Sequence, residues 1–245
     1  MRALILAAGF ASRLRPLTDK TPKCLLEIGG KTILKRTLEH LSDHGIIELG
    51  VVTGYRAEQI TDYIGKEFPR FEVSYYHNEL YQSTNNIYSL YLAREFAIGH
   101  DIYLMDSDII FEQGILEILR KYPKSDCLAL RSYGSIGEEE MKVKCHPDGR
   151  ILAISKLIPP GEASGESIGI EKFSPAFVKE LYTVLTDMIE NEDQSDQFYE
   201  KAFQRVIDAG TPLHVVDVGP LRCVEVDTVN DLAHAESEVL QFIDR

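Results

Sequence analysis

The chain has 245 residues, 44% hydrophobic and 27% charged, with 39 acidic side chains against 26 basic ones and a formal net charge of -13. That is the balance of an ordinary soluble globular protein, long enough to bury a substantial core. It excludes a general attraction to nucleic acid or anionic lipid, so neither a nucleic-acid nor a membrane partner is expected, and any anionic ligand must meet a local basic patch.

The first element is ALILAAG (3 to 9), a continuous apolar run ending in Gly, as buried parallel strands do. Arg2 before that run also resembles the start of a signal peptide. The run is short for one, however, and far below a membrane span, so a strand is the better reading. KTILKRTLEHLSDHG (31 to 45) has helical spacing and stops on Gly45, and IIELGVVTG (46 to 54) follows as a strand. AEQITDYIGKEF (57 to 68) predicts a helix, FEVSYYHN (71 to 78) a strand, NIYSLYLAREFA (86 to 97) a helix, and DIYLMDSD (101 to 108) a buried strand ending in carboxylates. One more helix and strand are expected over 112 to 132.

The stretch 133 to 173 breaks the rhythm. Pro147-Asp148-Gly149 is a turn signal between two strand-like runs over 141 to 156, and PPGEASGES (159 to 167) has loop composition. Helices near 175 to 191 and 196 to 209, strands near 213 to 227 and an amphipathic helix from 229 complete the chain. The alternation predicts an α/β fold: a Rossmann-like, open, mostly parallel sheet with helices on both faces and an inserted β-hairpin lid. A single domain over 1 to 245 is expected, with 133 to 173 as the inserted region. Ligands of such sheets lie beyond the carboxyl ends of the strands, which puts Gly9, Gly54 and Asp106 on one edge. The four cysteines (24, 127, 145 and 223) form no CxxC pair, so reduced thiols and a cytoplasmic location are expected.

Beside the first strand, LAAGFASRLRPLTDKTPK (6 to 23) gathers Arg13, Arg15, Lys20 and Lys23 on a loop stiffened by Pro16 and Pro22. Neither GxGxxG nor GxxxxGK[ST] is present. A guanidinium and an ammonium at a strand end nevertheless suit a triphosphate, whereas a solvated surface loop is the plainer alternative. Asp106-Ser107-Asp108 ends one predicted strand and Glu225-Val226-Asp227 another, and carboxylates two apart on a strand share a face. They suit Mg²⁺, which takes a few carboxylate oxygens and shares the rest of its shell with phosphates and water; helix capping is the competing explanation.

Residues 6 to 23 resemble the signature of the sugar-phosphate nucleotidyltransferase family, L-A-A-G-x-G-[ST]-R-[LM]-x-P-x-T-x-x-x-P-K, with Ala11 standing at the second glycine. The likeness runs through LLEIGGKTIL and GIIELGVVTGY to DSD, and more weakly to Asp227. It implies transfer of a nucleoside monophosphate from an NTP to a phosphate-bearing acceptor, with release of pyrophosphate. Carried over by position, Leu6, Ala7, Ala8 and Gly9 would meet the nucleotide and Arg13 the leaving pyrophosphate. Lys23 would bridge the α-phosphate and the acceptor phosphate, and Asp108 and Asp227 would hold Mg²⁺, with Asp106 on the nucleotide side.

HNELYQSTNNIYSLYLA (77 to 93) is similar to the NN-x-x-SL-x-x-A segment of the phosphocholine and 2-aminoethylphosphonate cytidylyltransferases. This favours CTP, with Asn78, Asn85 and Asn86 as candidates for the base edge. The acceptor is expected under the lid near Lys156, Glu166 and Glu225, a small phosphorylated or phosphonate compound with an aminoalkyl, choline-like or polyol group. The chain has no Trp, the strongest wall for a quaternary ammonium, and Tyr133 and Tyr199 are the possible substitutes. The resemblance also implies a role in precursor biosynthesis for cell-surface glycans or phospholipids. A sugar-1-phosphate enzyme using UTP, dTTP or GTP is the alternative, and a non-catalytic nucleotide-binding regulatory module is a second. No fused acyltransferase repeat or membrane tail is expected. A homodimer, through the hairpin or the last helix, stays open.

Overall fold

The computed structural model describes residues 1–134 and 136–243. β1 (Arg2–Ala7) leads through the basic loop and a small ribbon, β2 (Glu27–Ile28) and β3 (Lys31–Thr32), into α1 (Ile33–Asp43). Next come β4 (Glu48–Thr53), α2 (Ala57–Glu67), β5 (Glu72–His77), α3 (Asn86–Leu92), α4 (Arg94–Ala97) and β6 (Ile102–Asp106). β7 (Ile109–Phe111), α5 (Gly114–Lys121) and β8 (Cys127–Arg131) precede the hairpin of β9 (Lys142–Cys145) and β10 (Ile151–Ser155). β11 (Gly165–Phe173), α6 (Pro175–Thr186), α7 (Glu200–Asp208), β12 (His214–Asp217), β13 (Cys223–Glu225), α8 (Val229–His234) and α9 (Leu240–Ile243) finish the fold.

Among the described residues one nine-stranded sheet runs β10-β9-β11-β6-β1-β4-β5, with β8 on β11 and β12 on β8. β6, β1, β4 and β5 are parallel, and β11 runs antiparallel to β6. This is the expected open, mostly parallel sheet. Its alternation is visible in β1: Leu4 and Leu6 join the core that α3, α6 and α7 cover, while Ala3, Ile5 and Ala7 join the core under α1, α2 and α5. Burying both faces is what makes the sequence of this strand read as continuously apolar. Register then levels the strand ends, because Ala7 pairs with Thr53 and Leu6 with Asp106. Gly54 is required at that edge, since a Cβ there would lie 2.7 Å from the Ala8 carbonyl oxygen.

A third apolar cluster of Leu14, Leu26, Ile28, Ile110, Val226 and Val239 ties the basic loop to the C-terminal segment, residues more than 200 positions apart. Thr228 caps α8 in a reciprocal capping box with Asp231, whose Oδ2 also accepts from the Asp227 N–H at 3.1 Å. Asp227 is thereby fixed just ahead of the helix.

Several boundaries differ from the sequence reading. The strand expected to 108 stops at Asp106, its last rung with β1, and Ser107-Asp108 turn the chain into β7, which pairs with β13 instead. The helix over 86 to 97 breaks at Ala93. The Leu90 carbonyl accepts from the Ala93 N–H at 3.1 Å, a tightened last turn, and from Tyr182 Oη at 2.8 Å, which together take the acceptor that the Arg94 N–H would use in an unbroken helix. The loop over 159 to 167 already becomes strand at Gly165, and the last helix divides at a π turn over Ala235–Val239. The hairpin lies in the plane of the sheet, through pairing of β9 with Gly165 and Glu166 of β11.

Candidate active site

The basic loop leaves β1 by a tight bend. Ala11 has φ 47° and ψ 54°, a left-handed backbone that favours glycine, and a 3₁₀ turn over Ser12–Leu14 follows. A glycine, which the family signature has at this position, would adopt that backbone without strain, and this chain adopts it with a methyl group. Leu14 is wholly buried, and Tyr55 Oη donates to the Asp19 carbonyl at 2.7 Å, so the loop is held from both sides.

Lys23 Nζ lies 2.5 Å from Asp108 Oδ2 and 2.7 Å from Asp227 Oδ1, and Arg13 Nη2 donates to Asp227 Oδ2. Burial would lower the pKa of Lys23, but the two carboxylates outweigh it and hold the ammonium above its usual range. Burial likewise favours the neutral form of Asp227, yet Lys23 and then Arg13 hold its carboxyl below the ordinary value. The positive charge of the loop and the acidic strand ends are therefore one charge-balanced cluster.

Asp108, Glu225 and Asp227 each place a carboxylate oxygen within 4.8 Å of the others. Asp108 Oδ1 is buried with no hydrogen-bond partner among the described residues. Hard oxygen donors at this spacing, one of them uncompensated, fit a divalent cation such as Mg²⁺. Glu225, taken from sequence as an acceptor contact, thus stands with the metal candidates. Burial, followed by Asp108 and Asp227, pushes its pKa up to about 8.

Asp106 does not join this group. Although only two residues from Asp108, it lies at the end of β6 while Asp108 lies beyond the turn, so strand alternation no longer relates them. Asp106 Oδ2 accepts from Tyr199 Oη at 2.9 Å, and burial, then the charges of Asp108, Glu200 and Glu225, raise its pKa well above the usual carboxylate range. β11 bulges past it at Gly169, with φ 70°, where a Cβ would sit 2.6 Å from Asp106 Oδ2. Behind Asp106 lie Glu171 and Glu200. Burial raises both, Glu171 well above its usual value and Glu200 to about 7.

Two adjoining cavities open on this centre, of about 350 Å³ and about 400 Å³. Arg13, Asn86, Asp106, Lys156, Phe198, Glu225 and Asp227 line both. The first is otherwise walled by Leu6, Ala7, Ala8, Gly9, Lys23, Tyr81 and the three asparagines. Asn78 is 1% exposed and its amide is committed: Nδ2 donates to Thr84 Oγ1 and Ser89 Oγ, both at 3.1 Å, and Oδ1 accepts from the Leu80 N–H. Asn85 caps α3, and Asn86 Oδ1 accepts from the Tyr199 N–H at 2.9 Å. Asn86 therefore links the first cavity to the loop carrying Phe198, Tyr199 and Glu200 into the second.

The second cavity holds Glu166, Lys156 and Glu225 together with residues the sequence reading passed over: Arg131, Glu139, Glu140, Met141, Phe198 and Glu200. Arg131 Nη2 meets Glu166 Oε1 at 2.6 Å, and Lys156 Nζ stands 4.6 Å from the centre of the Phe198 ring. Lys142, wholly buried, donates to the Glu138 carbonyl at 2.7 Å and pins the loop bearing Glu139 and Glu140. The tyrosines considered for a cation cage face elsewhere. Tyr133 Oη donates to the Leu221 carbonyl, Tyr199 is 0% exposed on Asp106, and Phe198 is the aromatic wall instead. One signal in the sequence pointed to this: Phe198 closes an otherwise polar connection, NEDQSDQ, just ahead of α7.

A doubly wound sheet with paired cations and carboxylates at its carboxyl edge is the architecture of an α/β enzyme that handles phosphates. The chain belongs to the Nucleotidyl transferase family, whose profile matches residues 2–137. Among relatives, the CMP-5'-(3-aminopropyl)phosphonate synthase of Streptomyces rubellomurinus is 29% identical over 244 residues, 96% of this chain but 38% of that protein. The CTP:phosphoglutamine cytidylyltransferase of Campylobacter jejuni is 28% identical over 252 residues, 95% of this chain and 98% of the relative. The CTP:phosphocholine cytidylyltransferase structure from Streptococcus pneumoniae superposes with TM-score 0.77 at 22% identity, covering 96% of this chain and 97% of that one, and shares the fold. No described helix is long and apolar enough to cross a membrane.

Proposed function

We propose that this protein is a cytidylyltransferase that moves CMP from CTP to a small phosphorylated or phosphonate acceptor bearing an amino group, releasing pyrophosphate. The observation that carries the reading is Lys23, on the wall of the first cavity, held between Asp108 and Asp227, with Arg13 on the outer oxygen of Asp227 and both Arg13 and Asp227 lining the two cavities. Two anionic substrates meeting there need the cations that this cluster holds in place.

In the proposed reaction an oxygen of the acceptor phosphate or phosphonate attacks the α-phosphorus of CTP in line. The bond from the α-phosphorus to the bridging oxygen of the β-phosphate breaks, and pyrophosphate leaves with that electron pair. The attacking oxygen is already ionised, so no general base is needed. Lys23 neutralises the α-phosphate and the acceptor as they approach, and Arg13 takes the leaving pyrophosphate. Asp108, Glu225 and Asp227 would hold Mg²⁺, which supplies charge neutralisation for the triphosphate. Residues 133–173 form the acceptor side of one cytoplasmic, single-domain enzyme.

CTP is favoured by the likeness of residues 77 to 93 to the cytidylyltransferase segment and by the relatives named above, whose names carry CMP or CTP. An amino-bearing acceptor is favoured by Glu139, Glu140, Glu166 and Glu200 around a cavity whose aromatic wall is one Phe, too little for a quaternary ammonium. Pyrophosphate release measured across CTP, UTP, dTTP and GTP, each with 2-aminoethylphosphonate, phosphoethanolamine, phosphocholine, glycerol phosphate and glucose-1-phosphate, tests the reading. CTP with an amino acceptor should give the highest kcat/KM. Turnover confined to UTP, dTTP or GTP with the sugar phosphate would replace it with the sugar-nucleotide alternative.

A further inference from the structure

Arg131 and Glu166 face one another across β8 and β11, directly paired in register, so both side chains rise from the same face of the sheet. They line the second cavity and not the first. In the proposed reaction the acceptor's phosphate lies by Arg13, which lines both cavities, and reaches Lys23 in the first, so this pair meets the other end of the molecule.

Their ion pair is incomplete. An arginine and a carboxylate this well placed ordinarily form two parallel hydrogen bonds. Here one contact is made, from Nη2 to Oε1 at 2.6 Å, while Arg131 Nε and Glu166 Oε2 are buried with no partner among the described residues. An unpartnered buried polar atom is costly, and each is more so on a charged group. Both side chains line the cavity, with a quarter of Arg131 and about a tenth of Glu166 exposed. Arg131 is further seated by Tyr133, whose ring centre lies 5.8 Å from the guanidinium carbon.

A wall built only for an ammonium would carry carboxylates, and Glu139, Glu140 and Glu200 already provide them. A guanidinium among them would repel such a ligand. Resting on the proposed function, we infer that Arg131 and Glu166 form an end-group subsite for an acceptor that presents an N–H donor and an oxygen acceptor side by side. An α-amino-acid terminus and a primary carboxamide are the two sources of that pattern. The ligand's N–H group completes Glu166, and its oxygen completes Arg131.

Calorimetry with two matched pairs of probes tests this. O-phospho-L-serine and phosphoethanolamine differ by one carboxylate, and 3-phosphonopropanamide and propylphosphonate by the amide. The protein should bind the first member of at least one pair about tenfold more tightly, the effect of one charge-assisted hydrogen bond. Preference within the first pair identifies an amino-acid end, and preference within the second alone a carboxamide. In the double variant Arg131→Met/Glu166→Gln, which leaves no buried charge behind, the ratio should fall to about twofold or less. Equal affinities within both pairs in the unaltered protein, or a ratio unchanged in the variant, overturn the subsite. Absence of pyrophosphate release with every nucleotide and acceptor overturns the proposed function instead, while the binding ratios still decide the subsite.

Discussion

Replacing Lys23 by Met removes the ammonium that joins Asp108 to Asp227 while keeping the length of the side chain. The three side chains are 14 to 27% exposed, so solvent screens them little. An effective dielectric near 20 gives about 4 kcal/mol for one contact at ion-pair distance, and breaking a buried pair by removing one partner costs about 3–5 kcal/mol. Part of this is returned because Lys23 itself no longer has to be desolvated, leaving a net loss of about 3 kcal/mol at pH 7. For a chain of this size that corresponds to roughly 6–12 °C in Tm. The pH dependence has a definite sign. In the unaltered protein Asp227 is held below its usual pKa, so its contribution is present above the ordinary carboxylate value and lost as pH falls through the lowered one. In the variant the carboxylates take up protons more readily, so the deficit is largest near neutrality and shrinks on acidification. A divalent cation should also reduce it by settling among Asp108, Glu225 and Asp227. Thermal unfolding followed by circular dichroism at pH 5 and 7, with and without MgCl₂, is the assay. A variant as stable as the unaltered protein at pH 7, or a deficit indifferent to both pH and Mg²⁺, would refute the charge-balance reasoning.

Ala11→Gly should stabilise the protein by about 1 kcal/mol, because the left-handed backbone at this position penalises a Cβ; denaturant titration checks it, and a loss of stability would show the strain to be absent. Glu200→Gln should leave stability unchanged at pH 4.5 and raise it by about 3 kcal/mol at pH 8, since the folded pKa of about 7 lies above the unfolded value and stability is lost as pH rises between them. A pH-independent difference in Tm between the two proteins would contradict this. Asn78→Ala should cost about 2–3 kcal/mol in stability through its three lost hydrogen bonds and leave the CTP to UTP preference in kcat/KM unaltered, whereas a changed preference would return Asn78 to base recognition.

What the sequence disclosed and what it withheld separate along physical lines. The parallel strands were legible because burial on both faces leaves continuous apolar runs, and the basic loop because its residues lie together in the chain. The convergence of Lys23 on Asp227 is different in kind. It depends on the third apolar cluster, in which Leu14 and Ile28 meet Val226 and Val239, and no local pattern announces a contact across 204 positions. The second cavity was the least legible, because its wall is assembled from Arg131 at the end of one strand, Glu166 near the start of another, and a loop placed by Asn86. Asn86 was noticed for its amide, but the hydrogen bond it makes to the Tyr199 N–H is tertiary and has no sequence signal.

The same geometry explains how so many carboxylates share one cleft in a protein of net charge -13. Those at the metal candidates and around Asp106 divide into two groups. Asp108 and Asp227 touch cations, and Asp227 is held in its charged form. Asp106, Glu171 and Glu225 lie where burial favours the protonated form, so near neutrality they contribute hydrogen-bonding groups more than charge, while Glu200, raised to about 7, is divided between the two forms. A cluster ionised throughout would repel a triphosphate. A cluster divided in this way keeps Asp227 charged beside Lys23 while burial limits the negative charge on its neighbours, so a cleft lined with acids can still receive two anionic substrates.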